Sequence, residues 1–62
     1  MNKPTCELIG TDGNVFAIIG KVSSTLKKSN QRDKALEFAN KAMQQKSYDD
    51  VLNLVHEYVE VV

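Results

Sequence analysis

Three apolar runs repeat with the period of an α-helix, separated by polar breaks of only a few residues. No other feature limits the fold of this chain as tightly. In the first run Val15, Ile18, Ile19, Val22 and Leu26 stand at i, i+3, i+4, i+7 and i+11, one stripe along a helix. Phe16 widens that stripe, while Lys21, Lys27 and Lys28 fall away from it. In the second run Ala35, Leu36, Phe38, Ala39, Ala42 and Met43 form a broad apolar face. Its alanines allow close helix packing, and Met43 is suited to filling an irregular gap. In the third run Val51, Leu54, Val55 and Tyr58 repeat the helical spacing, with Leu52 beside them. Helices joined by such short turns pack as neighbours, so a compact three-helix bundle is expected.

The breaks carry helix stop and start signals. In "KKSNQRDKAL", Lys27 and Lys28 suit the negative end of the first helix dipole. Ser29 or Asn30 is expected to cap the second helix, with Asp33 in its first turn. In "SYDD", Ser47 is the expected N-cap of the third helix, and Asp49 and Asp50 lie at the positive end of its dipole. Gly20 interrupts the first helix at a cost of about 1 kcal/mol relative to alanine, which points to a close approach by another backbone.

The two ends read differently. "TCELI" and "YVEVV" are β-prone with polar residues interleaved, and a lone strand leaves its own backbone groups unpaired. The economical arrangement pairs the two ends with each other. The expected fold class is therefore mainly α: three short helices with terminal extended segments that pair as a two-stranded sheet. The alternative is an all-α chain in which the last helix runs on towards the terminus.

Residues 10 to 14, "GTDGN", admit three readings: a hairpin turn, a helix start, or a cradle for an anion or metal. Asp-Gly is a strong turn signal, but a hairpin needs alternation on both sides and the downstream residues follow the helical period instead. A glycine-containing loop before a helix exposes N–H groups to anions. Yet it lacks the lysine of a phosphate-binding loop and the third glycine of a dinucleotide fold. The further oxygen ligands of a calcium loop are missing too. A structural cap accounts for all five residues, with Asp12 or Asn14 capping the first helix and Gly10 and Gly13 bending the chain into it.

Sixty-two residues make one small domain, residues 1–62. One cysteine, Cys6, cannot form an internal disulfide, and one cysteine with one histidine cannot make a structural zinc site. Stability must come from helix packing or from a partner subunit. No apolar run approaches the roughly 20 residues needed to cross a bilayer, and no signal peptide opens the chain. With a free thiol in addition, the expected location is the cytoplasm.

Net charge is zero but unevenly spread. Residues 21–46 carry seven Lys/Arg against Asp33 and Glu37, or +5, whereas residues 47–62 carry four acids and no Lys/Arg, or −4. Such asymmetry can steer a partner or favour self-association, or it can be the solvated faces of ordinary helices. Nucleic-acid binding would draw on Lys21, Lys27, Lys28, Arg32, Lys34 and Lys41. Against it, the third helix is acidic, and the aromatics near the basic segment, Phe16 and Phe38, lie in apolar stripes.

No catalytic constellation is visible. His56 has acidic neighbours but no nucleophile or second histidine, Cys6 reads as a small buried hydrophobe, and Asp49 and Asp50 point about 100° apart on a helix. No cofactor or metal is implied. Tyr48 and Tyr58 flank the last helix and are candidate interface anchors, with core packing as the plainer role for each.

At "LIGTDGNVFAIIG" and "SYDDVLNLVHEYVEV" the chain resembles a family of small uncharacterised bacterial proteins, often from prophage-like or mobile regions. The resemblance covers the glycine-flanked loop, the helix after it and the Ser-Tyr-Asp start of the last helix. Lys46 stands where that pattern often has glycine, so the preceding helix is expected to end differently. The resemblance implies context, a phage-like accessory or inhibitory protein acting on a larger partner, and transfers no catalytic residue. The expected function is a non-catalytic interaction module that binds another protein or its own copy. A nucleic-acid-binding accessory protein is the second reading, and an enzyme the third.

Overall fold

The computed structural model describes residues 3–8 and 14–62. Three helices, α1 (Val15–Lys28), α2 (Arg32–Met43) and α3 (Tyr48–Tyr58), lie between two very short strands, β1 (Thr5–Cys6) and β2 (Glu60–Val61). The strands pair in parallel with Thr5 opposite Glu60 and Cys6 opposite Val61. The Glu60 amide donates to the Pro4 carbonyl at 2.9 Å, and the Val62 amide to that of Cys6 at 3.1 Å. The fold is mainly α with a terminal two-stranded sheet, so α3 stops at Tyr58 and the all-α alternative falls away.

Each helix end has a local cause. Asn14 is extended (φ −71°, ψ 127°) and its Oδ1 accepts from the Phe16 amide at 2.8 Å, so Asn14 caps α1. Gly10, Asp12 and Gly13 lie outside the described residues. Asn14→Ala is expected to cost about 1 kcal/mol in urea unfolding; no loss would mean that the cap bond contributes nothing in water. Ser47 caps α3 as expected, its Oγ accepting from the Asp50 amide at 3.2 Å.

The α1–α2 turn corrects the expectation that Ser29 or Asn30 caps α2. Asn30 adopts the left-handed conformation (φ 63°), and the amides of Asn30 and Gln31 donate to the carbonyls of Lys27 and Leu26 at 3.1 and 2.9 Å. That paired closure terminates α1, and asparagine tolerates the left-handed position better than most residues. Gln31 occupies the N-cap position of α2 without a side-chain bond. The α2–α3 turn differs: Gln44 stays right-handed as the C-cap, and Lys46 completes the turn where the resembled pattern often has glycine.

The core is drawn from all five elements or their flanks. Ile18, Val22 and Leu26 from α1 meet Ala35, Phe38 and Ala42 from α2, and Val51, Leu54, Val55 and Tyr58 from α3. Cys6 of β1 and Val59 before β2 close one side. The Cys6 sulfur lies 3.5 Å from the Thr25 hydroxyl, so the thiol packs as a small core group.

Two expectations about packing need correction. Phe16, Leu36 and Met43, read as part of the core stripes, are 65%, 65% and 66% exposed. Each stripe was wider than the arc a neighbouring helix can cover, and these residues stand at the uncovered edge. Gly20 is exposed, and among the described residues a Cβ built on it meets nothing within 4 Å, so no other described segment approaches it closely. Gly20→Ala is accordingly expected to stabilise the domain by about 0.5–1 kcal/mol in thermal or urea unfolding, whereas a loss would reveal an unseen neighbour.

Candidate protein-interaction surface

The first turn of α1, the end of α2 and the start of α3 enclose an open groove of about 450 Å³. Val15, Ile19 and Val51 form much of its apolar lining, with Phe16, Met43 and Tyr48 as the large exposed apolar side chains around it and Gln45, Lys46 and Ser47 as exposed polar ones. The placement follows from the caps. With Asn14 starting α1, Val15 and Ile18 turn inward, and Phe16 is carried about 100° per residue away from the core. With Ser47 starting α3, Tyr48 is its first residue and stays 42% exposed beside the groove.

Tyr58 is corrected from interface anchor to core residue. It is 8% exposed and its ring stands edge-on to Phe38, with centroids 5.4 Å apart and planes at 67°. Its hydroxyl donates to a Glu37 carboxylate oxygen. Burial, then the bond to Glu37 and its charge, push the phenol up to about 12. The same bond, helped by Lys34 and Lys41, holds the Glu37 carboxyl below the usual carboxylate value. The two tyrosines therefore separate: Tyr48 belongs to the surface and Tyr58 to the interior.

The six basic candidates are spread over α1 and α2 with acidic residues among those of α2. Lys21 and Lys28 are seven apart and share one face of α1, but Lys27 lies about 100° from Lys28. On α2, Arg32 and Lys34 border one open recess of about 320 Å³ at the α1–α2 turn, with the acidic Asp33 between them. Lys34 and Lys41 do share a face, but Glu37 lies between them at helical spacing, with its carboxylate 4.0 Å from the Lys41 ammonium. These two lysines border a cleft of about 420 Å³ with Lys3, Glu37 and Glu57, where charges of both signs interleave.

The remaining chemistry-bearing residues are dispersed. His56 is exposed, and its carbonyl accepts from the Lys3 ammonium at 2.8 Å, a cation placed at the negative end of α3. Asp49 and Asp50 are both exposed in the first turn of α3. Among the described residues no three His, Cys, Asp or Glu side chains gather as a metal site, and no helix is long and apolar enough to cross a membrane.

Phe16, Leu36 and Met43 were missed as surface candidates. The available signal was the width of the α2 stripe, which exceeds what one core contact needs. The choice of which edge remained uncovered depended on where α1 and α3 sit. No protein-family model, curated protein or solved structure matches the chain.

Proposed function

We propose that the protein is a small non-catalytic interaction module that docks through the apolar surface around Phe16, Met43 and Tyr48. One observation carries the reading: three large side chains stay exposed together around an apolar groove on a 62-residue domain. A contiguous exposed patch of that kind is characteristic of docking sites, whereas scattered apolar residues are not. Tyrosine and methionine are enriched in such interfaces, the first as a rigid anchor and the second as an adaptable one. The further proposal of a phage-like accessory or inhibitory factor rests only on the resemblance of residues 8–20 and 47–61 to small uncharacterised bacterial proteins, often from prophage-like or mobile regions.

The test compares tagged wild type with Phe16→Asp and Met43→Lys in nuclease-treated host lysate, together with the self-association of each purified protein. Both substitutions are expected to abolish binding to a specific protein, or to the protein itself, while helical content stays unchanged. Binding that survives both changes sinks the reading. Binding that disappears only on nuclease treatment would favour nucleic acid through the basic segment.

A further inference from the structure

The ladder between the two strands uses alternate residues of β2. Glu60 and Val62 donate their amides to the Pro4 and Cys6 carbonyls at 2.9 and 3.1 Å, so both turn their backbone towards β1. Val61 stands between them, and its N–H and C=O therefore point the other way, to the outer edge of the sheet. Among the described residues neither group meets a backbone partner. An edge of this kind is a template for one more strand.

The side chains say what that strand must carry. Cys6 and Val61 are opposite in register and share one row, with Cys6 buried in the core. Val61 is 37% exposed against 2% for Cys6, so the apolar layer is left open on the side of β2. The other row holds Thr5 and Glu60, both exposed. Among the described residues Glu60 forms no ion pair, and residues 47–62 carry four acids and no Lys/Arg. On β1 the outward backbone groups are those of Thr5, whose side chain lies in the solvent row, so that edge adds no apolar contact.

We infer that the outer edge of β2 binds an extended, basic segment of another protein as a third, antiparallel strand. In a hydrogen-bonded antiparallel pair two opposite residues exchange both bonds, so a single residue of the segment satisfies the N–H and the C=O of Val61. The side chain of that residue joins the row of Cys6 and Val61 and is apolar. Its neighbour in the segment stands opposite Glu60 and is Lys or Arg, because unlike charges attract across strands and like charges repel. The Glu60 carboxylate thus guards the edge against unselected strands and admits a basic one. The edge is separate from the groove at Phe16, Met43 and Tyr48, to which no residue of β2 contributes.

Amide hydrogen exchange and titration with two short synthetic peptides test the inference, one alternating valine with lysine and the other valine with glutamate. The lysine peptide should bind saturably and slow exchange at the Val61 amide by about tenfold or more, and the glutamate peptide should not bind. Val61→Pro removes the outward N–H without touching the ladder, and should weaken binding by about tenfold or more at unchanged helical content. Glu60→Lys should exchange the preference, so that the glutamate peptide binds instead. A folding defect cannot produce that exchange. Phe16→Asp should leave peptide binding intact.

No saturable binding of the lysine peptide, or an unchanged preference in Glu60→Lys, overturns the inference. So does loss of peptide binding in Phe16→Asp, which would place the peptide in the groove and leave the docking reading standing. Slowing at Val61 that grows with protein concentration in the absence of peptide would assign the edge to a second copy, and overturns the basic segment as its occupant.

Discussion

Phe38→Ala is expected to cost about 3–5 kcal/mol and to leave little or no cooperative urea transition. Phe38 is fully buried, its ring is edge-on to Tyr58, and it sits where α1, α2 and α3 converge. A domain of 62 residues has total stability of about 3–9 kcal/mol at typical values per residue. One lost ring therefore removes a large share of it, since the small Ala35 and Ala42 beside it in α2 have no bulk to refill the space. Phe16→Ala makes the contrast. That ring is 65% exposed, so its loss should change stability by no more than about 0.5 kcal/mol while weakening docking. If Phe38→Ala kept a cooperative transition with less than about 1 kcal/mol lost, the core would have to collapse around the gap, and Phe38 would not be its centre.

Alkaline unfolding driven by Tyr58 is the second large effect expected. The folded state raises this phenol from 10.0 to about 12, chiefly because burial penalises the phenolate, with the Glu37 carboxylate adding to it. A group whose folded value is raised contributes stability that is fully present below its unfolded value and is lost as pH climbs to the folded one. The contribution is thus complete below pH 10 and disappears between 10 and about 12. The wild type must be compared with Tyr58→Phe, so that the response of every other group to high pH cancels.

The difference in unfolding free energy between those two proteins should shrink across this window. In a Tyr48→Phe background the phenolate absorbance reports Tyr58 alone, and it should appear together with loss of helix. A phenolate formed at ordinary pH with the helices intact would show that Tyr58 is not buried. On the acid side the sign is opposite. Glu37 has a lowered folded value, so its contribution is present above the unfolded carboxylate value and is lost as pH falls through the folded one.

What the sequence determined by itself is local. Periodicity placed all three helices, because a helix that must bury one face declares it every three or four residues. Ser47 announced α3, Asn14 was one of two candidates for α1, and both caps act on amides two or three residues away. The need to pair lone strand edges foretold the contact between the two ends.

Tertiary structure decided whatever depended on distance along the chain. The apolar arc of α2 is wide enough to face the core in more than one way. The seating of α1 and α3 buried Phe38 and Ala42 and left Leu36 and Met43 outside. Tyr48 and Tyr58 look alike as flanking aromatics, but one begins its helix at an open groove and the other ends it against Phe38 and Glu37. Gly20 invites a close neighbour by its identity and has none among the described residues, since only the packing of whole helices decides what stands beside a given turn. The candidate surface belongs to this second class. Burial is a relation between segments remote in sequence, so an exposed apolar edge is recognised only once the other helices have taken their places.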